Sequence, residues 1–321
     1  TINFKKISFS KVKLLMDYLW IFVAIFAAAL QTFRSAFQKR MIPDIGKFGA
    51  TYIRFIYALP FTFLIFIFWF FILKNEIPKL NNLAIFYCFI GALCQVLFTL
   101  LLMIIFSYRN FAAGIAFSKT EVLFAALIEI FILNIVFLPI INFGIILGVF
   151  AVIFLSVAKE TTNINDVFIK ISKSFFTFST LFGVLTGLIL AGSTVGYRMA
   201  IINVEGHILD ATIYLSILAV FIQSIMMGIW LYYYKRNELI LVFQFWKKSL
   251  PAGICGSGAT AGWFLAFALA TAAEVRAVGQ IELIFSIIIS IIFFKEKVQR
   301  TEIFGICMLI ISILLVIYAR I

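Results

Sequence analysis

Charge is scarce in this chain, and so is the chemistry that charge supports. Of 321 residues, Asp and Glu supply 14, Lys and Arg 26 and His one, so 12% of the chain is charged against 64% hydrophobic. With a mean hydropathy of +1.15, these proportions lie outside the range of a soluble domain. The single histidine, His207, sits at the edge of an apolar stretch and reads as a solvated residue. The cysteines Cys88, Cys94, Cys255 and Cys307 form no Cys-x-x-Cys pair and have no histidines at ligand spacing, so they read as small packing residues. No phosphate-binding glycine loop, Ser/His/Asp set or metal cluster can be assembled. The expectation is therefore a protein that is not an enzyme and holds no cofactor or metal. The formal charge of +12 would suit a nucleic-acid partner, but the basic residues sit mostly in short connections between apolar stretches, which argues against nucleic acid.

What the chain has is hydrophobic length. About 20 apolar residues are needed to cross about 30 Å of hydrocarbon, and such spans are read at 18–38, 49–73, 82–106, 111–137, 141–158, 178–202, 207–233, 249–271, 275–294 and 301–320. Backbone groups left unpaired in lipid are costly, so the spans are helices or a closed barrel. Alternating ten-residue segments are lacking, which leaves helices. Lys5, Lys6, Lys11 and Lys13 precede a first span too long for a cleaved signal, which reads as a retained helix. Loop charge counted from a cytoplasmic amino terminus places more Lys and Arg outside than inside, favouring the opposite orientation, although the four leading lysines argue for an inside start.

The two halves of the chain repeat one another. Ala50-Thr51 returns as Ala211-Thr212, Glu121-Val122-Leu123-Phe124 as Glu282-Leu283-Ile284-Phe285, and Phe143-Gly144-Ile145 as Phe304-Gly305-Ile306, each 161 positions later. Phe33-Arg34-Ser35-Ala36 aligns with Tyr197-Arg198-Met199-Ala200 at 164. A duplicated unit with an odd number of spans enters its second copy from the other side of the bilayer, which gives inverted repeats with a site between them near the midplane. The expected fold is an all-α polytopic membrane protein of ten transmembrane helices. Residues 1–160 form the first five-helix repeat, 161–177 an inter-repeat loop and 178–321 the second repeat.

Glycines four apart (Gly144 and Gly148, Gly183 and Gly187, Gly192 and Gly196, Gly258 and Gly262) predict close helix packing in spans five, six and eight. Charges inside spans carry more information, because each costs about 2.5–3.5 kcal/mol on insertion scales unless it meets a cavity or a partner. Gln31, Arg34 and Gln38 share one face of span one. Arg54 lies a turn inside span two, where reaching the headgroups and a functional role are both open. Lys119, Glu121 and Glu129 lie in span four, the two glutamates within about 80° of each other. Span nine carries Glu282, Ser286 and Ser290 on one stripe and Arg276 and Gln280 on another, and Arg198 in span six takes the place of Arg34. Two readings stand: buried ion pairs among Arg34, Arg198, Glu121 and Glu282 that fix helix positions, or a polar cavity that holds a charged or zwitterionic solute.

The segments Gln31-Thr32-Phe33-Arg34, Gly49-Ala50-Thr51-Tyr52-Ile53-Arg54-Phe55, Lys119-Thr120-Glu121 and Gly262-Trp263-Phe264-Leu265-Ala266-Phe267 resemble those of drug/metabolite transporters of the EamA type. Phe294-Lys295-Glu296-Lys297 followed by Glu302-Ile303-Phe304-Gly305-Ile306 is similar to the repeat ending of that family, whereas Leu138-Pro139-Ile140 departs from it in the first copy. The resemblance implies a carrier whose pocket lies between spans one to four and six to nine, with five and ten peripheral and both termini cytoplasmic. It also implies a location in a bacterial inner membrane.

These readings combine into an expectation of alternating-access export or exchange of a small polar metabolite, an amino acid or related zwitterion being the working case. The substrate-binding candidates are Gln31, Arg34, Tyr52, Lys119, Glu121, Arg198, Tyr214, Trp263, Gln280 and Glu282. In this scheme Arg34 and Arg198 attract carboxylate and Glu121 or Glu282 faces an amino group. A carboxyl in apolar surroundings favours its neutral form unless an arginine opposes it, which makes Glu121, Glu129 and Glu282 candidates for proton coupling. The partners expected are the solute, membrane lipid and a coupling proton, with monomer and homodimer both open. The alternative is a flippase for a lipid-linked intermediate, or a structural membrane subunit.

Overall fold

The computed structural model describes residues 4–108, 119–158, 178–294 and 300–319. Among them every regular element is helical: α1 (Phe4–Ile56), α2 (Leu59–Ile67) running into a π-helical turn (Phe68–Ile72), α3 (Asn82–Tyr108), α4 (Glu121–Leu133), α5 (Pro139–Ala158), α6 (Phe178–Ile202), α7 (Ile208–Tyr234), α8 (Arg236–Gln244), α9 (Trp246–Leu269), α10 (Ala272–Gly279), α11 (Glu282–Phe294) and α12 (Arg300–Tyr318). Among the described residues six stretches are long and apolar enough to cross a membrane: Tyr18–Ile72, Asn82–Phe106, Phe182–Ile202, Ile208–Tyr234, Trp246–Leu269 and Arg300–Tyr318, with a shorter apolar helix at Pro139–Leu155. The expected inter-repeat loop at 161–177 and the charged turn Lys295-Glu296-Lys297 lie outside the described residues.

The bundle is polar within and greasy without. Its outer face shows Phe22, Phe26, Phe131, Ile132 and Ile292, each more than half exposed, while Arg34, Lys119, Glu121, Glu129, Arg276 and Glu282 are buried. A soluble protein distributes these residue types the other way. A lipid solvent for the outer face removes that conflict.

Four expected spans differ from the observed helices. Spans one and two follow each other without a loop, because residues 39–45 stay helical and the two arms of the 53-residue α1 meet at Gly46. A straight helix of that length would reach about 80 Å, far beyond a hydrocarbon core, and the chain bends at Gly46 (φ 74°, ψ 170°). Only glycine adopts that backbone without strain, and the space its side chain would fill is taken by the carboxylate of Glu238 from α8. Glu238 Oε2 accepts from Gly49 N at 2.8 Å, so a carboxylate caps the opening turn of the second arm. The helix of span four runs only from Glu121 to Leu133, where Asn134 turns left-handed (φ 51°, ψ 33°), and residues 111–118 lie outside the described part. Span nine is broken: α10 stops at Gly279 and α11 begins at Glu282. An added Cβ at Gly279 would stand 2.7 Å from the Trp263 ring, so the break sits where an indole from α9 presses on the backbone.

The junction from α9 to α10 is held by side chains from two other helices. Glu129 of α4 accepts from the N–H groups of Ala272 (2.7 Å) and Ala273 (2.9 Å), while Thr271 and Glu274 form a capping box at the same end. Arg198 of α6 donates to the carbonyls of Phe267 (2.7 Å) and Ala270, and its Nε lies 3.4 Å from Glu129. An anion therefore sits at a helix start and a cation at a helix end, each where the peptide dipoles favour it.

Packing follows the glycines. Helix α1 lies along α9, α3 along α6, and α5 and α12 chiefly along each other. Gly258 and Gly262 face Leu30 and Ala27 of α1, Gly196 lies against the backbone of Gly91 in α3, and Gly144 and Gly148 face Val316 and Ser312 of α12. Helices α4 and α11 have 13 residues each and begin on Glu121 and Glu282, the pair that the 161-residue register aligns.

Two changes test this packing. Gly196→Val places methyls where Gly91 N would be 3.1 Å from the new Cβ, and overpacking of this kind costs about 1–3 kcal/mol. Its unfolding midpoint in detergent should fall well below that of Gly192→Ala, whose added methyl meets only the Cys94 side chain. Glu129→Ala leaves two backbone donors and Arg198 without their carboxylate and should cost about 1–3 kcal/mol, read as a lower midpoint and faster proteolysis at the α9–α10 junction.

Candidate functional site

The interior face of α1 and the facing helices α9, α10 and α11 converge on a chain of polar contacts. Trp263 Nε1 donates to Gln31 Oε1 at 2.9 Å, and Gln31 Nε2 donates to Glu282 Oε2 at 2.9 Å. The same carboxylate oxygen is ion-paired to Lys119. Beside it, Arg276 donates through Nε to Glu121 Oε1 at 2.7 Å and through a second nitrogen to the same atom, and its guanidinium lies 4.4 Å above the Trp263 ring. The two ion pairs are crossed. Each joins a residue that opens α4 to one belonging to the broken element α10–α11.

A small cavity opens against this network. Its wall includes Gln31, Arg54, Gln95, Thr194, Tyr197, Gln223, Thr260, Trp263, Phe264, Phe267 and Arg276. The polar wall is ordered: Gln223 Nε2 donates to the Tyr197 hydroxyl at 2.5 Å, and Ser193 donates to Gln95 Oε1 at 3.0 Å. Tyr197 and Phe264 stack with ring centroids 4.5 Å apart. Arg54 donates to Thr99 Oγ1 at 2.6 Å and lies 5.2 Å from the Phe55 ring. Arg34 is 1% exposed, and none of its three guanidinium nitrogens has a hydrogen-bond partner among the described residues. A Cβ on Gly256 of α9 would touch both the Arg34 side chain at 3.6 Å and the Arg54 carbonyl at 3.2 Å, so the two arms of α1 meet at this glycine.

Of the residues expected at a solute site, Gln31 and Trp263 line the cavity, and Lys119, Glu121 and Glu282 stand behind it in the ion-pair network. Arg34 is buried beside them. Four other candidates lie away from the cavity wall. Tyr52 points its hydroxyl at Gly228 of α7. Tyr214 packs edge-on against Phe66 and Phe70. Gln280 is buried against Gly148 of α5, with no partner for its amide among the described residues. Arg198 serves the end of α9, as described above. The anticipated pairing of Arg34 and Arg198 with Glu121 and Glu282 is replaced by pairing with Arg276 and Lys119, because the break in span nine turns Arg276 toward α4. Arg54 does not reach outward to headgroups, since the bend at Gly46 folds it into the interior.

Sequence reasoning passed over Arg276, Gln95 and Gln223 as site residues. Their signal was present as isolated polar side chains in the middle of apolar runs, the same signal that identified Arg34.

Residues 177–318 match the model of the EamA-like transporter family. A solved crystal structure superposes on the chain with a TM-score of 0.66 at 11% identity, covering 95% of this chain and 97% of the other, a likeness of fold. No curated protein matches the chain. The second half of the chain is thus similar to EamA-like transporters, and it is carried on a bundle whose described residues include six helices long and apolar enough to cross a membrane.

Proposed function

We propose that the protein moves a small polar metabolite across a bacterial inner membrane by alternating access, as an exporter or exchanger, between two five-helix repeats of inverted orientation. In this reading the two arms of α1 are separate crossings and α10 with α11 form one, for ten crossings in all. They divide into residues 1–160 and 178–321 around the connection at 161–177. The shared length and register of α4 and α11 favour that division, as does the reciprocal packing of α1 on α9 and α3 on α6.

The observation that supports the proposal is the crossed pair of buried salt bridges behind the cavity wall. Lys119–Glu282 and Glu121–Arg276 each tie one half of the chain to the other. Attraction between charges is strong where water is excluded, but each ion gives up its hydration to be there. Such pairs therefore hold one arrangement of the halves and are exchangeable for another that solvates or re-pairs the same groups. A solute that interacts differently with the two arrangements shifts the balance between them. Glu121 and Glu282 are the coupling carboxyls in this scheme; Glu129, engaged by the start of α10, acts as a cap.

Counterflow of a labelled metabolite panel into proteoliposomes tests the proposal. Removing one partner of a buried pair leaves a lone charge in the core, so Glu282→Gln and Glu121→Gln should each lower the initial rate at least tenfold. Exchanging the charges by Lys119→Glu with Glu282→Lys should restore part of the loss. Wild-type rates in both single variants would remove the crossed pairs from the transport cycle. An imposed pH gradient should change the wild-type rate; equal rates with and without it would reassign the cycle to uncoupled exchange or facilitated diffusion.

A further inference from the structure

In the cavity wall and buried behind it, cations outnumber carboxylates among the described residues. Arg34, Arg54, Lys119 and Arg276 stand against Glu121 and Glu282, and both carboxylates are already engaged by Arg276 and Lys119. Two guanidinium charges are left over. Neither Arg34 nor Arg54 has a carboxylate within salt-bridge distance among the described residues, and residues 109–118, which precede Lys119, contain no Asp or Glu. The cavity wall carries Arg54 and Arg276 and no acidic side chain among the described residues. Arginine does not shed its proton in proteins, so burial does not neutralise these groups. A buried guanidinium with all three nitrogens unsatisfied is among the costliest arrangements a core can hold. A chain that keeps one in lipid-enclosed surroundings keeps it for a ligand that completes it.

We propose that the solute is a small organic dianion, carrying two carboxylates or one phosphoryl group, whose charge is met by Arg34 and Arg54. The planar fork of arginine suits either oxyanion, since both accept two parallel hydrogen bonds. Gln31, Gln95, Gln223 and Thr260 provide neutral donors and acceptors for the rest of a polar molecule, and the Trp263 and Phe264 faces accommodate its carbon skeleton. Among the described residues Glu121 and Glu282 each already carry an ion-pair partner whereas Arg34 and Arg54 carry none, which turns the assignment toward an anion. Carriage of the bound solute rests on the transport reading, whereas the binding itself stands on charge and geometry.

The test uses the full-length protein in lipid nanodiscs, titrated calorimetrically with succinate, glycerol 3-phosphate, alanine and lysine, and the same probes in proteoliposomes. Succinate or glycerol 3-phosphate should bind, more weakly as salt rises, and the preferred one identifies the oxyanion. Arg34→Gln should bind it at least tenfold more weakly. Because Arg34 has no hydrogen-bond partner to abandon among the described residues, the ligand-free variant should unfold at the same temperature as wild type or above it, opposite to the loss expected of a structural ion pair. Should Arg34→Gln fail to fold, Arg34→Lys keeps the charge without the fork and should bind weakly with its salt dependence retained. Binding of alanine or lysine with neither dianion bound would overturn the inference and leave the transport reading intact. A dianion bound but not carried would instead defeat the transport reading. Unchanged dianion affinity in Arg34→Gln, or a lowered ligand-free midpoint, would also overturn the assignment of Arg34.

Discussion

Everything distinctive in this structure derives from the cost of placing ionised groups where neither water nor headgroups reach them. The chain answers that cost in two ways. At the α9–α10 junction it uses charge to end one helix and begin another, with Arg198 on the carbonyls and Glu129 on the amides. At the cavity it uses charge to join the halves, through Lys119 with Glu282 and Glu121 with Arg276. The first arrangement is closed, since the carboxylate meets amides and cation together. The second leaves guanidinium groups over, and that difference separates a part that stabilises the fold from a part positioned to act.

Broken helices make the second arrangement available. A regular helix satisfies its own backbone and presents side chains only outward from its axis, whereas a helix that ends in mid-bundle brings residues from its terminus to the centre. Glu121 and Glu282 each open a 13-residue helix, so both carboxylates lie at such ends. The bend at Gly46 does the same service for Arg54 by returning the second arm of α1 against α9. Close contact at Gly256, Gly258 and Gly262 then brings α1 near enough for Gln31 to bridge Trp263 and Glu282.

The helical class, most span positions and the glycine contacts were legible in the sequence, because apolar run length and four-residue spacing are local signals that lipid enforces. The duplicated glutamates were legible for the same reason, since their register survives as helix starts. Their partners were not. Which cation meets Glu121 depends on where span nine breaks, and nothing local to Arg276 announces that Gly279 yields to the Trp263 ring. Arg198 was matched to Arg34 through a 164-residue offset, yet the 161-residue register that aligns Glu121 with Glu282 puts Val195 opposite Arg34. Three residues of slippage rotate a side chain by about 60° and shift it by about 4.5 Å along the axis, enough to move it from the cavity to the end of α9. Tyr52 and Tyr214 were chosen for their chemistry on the correct helices, but their faces turn to α7 and to Phe66 and Phe70.

The proposed rocking of the halves about buried charges requires the cavity wall to open to one side of the membrane at a time, and solvent access to that wall reads this out. In a background with the four native cysteines replaced, a cysteine at Thr194 would be labelled with a membrane-impermeant reagent applied to either face of oriented vesicles, with and without the transported solute. Labelling from one face alone is expected in the absence of solute, with a shift toward the opposite face in its presence. Labelling from the same face under both conditions, or from neither face at any time, would rule out a cavity exposed in turn by exchange of the crossed pairs.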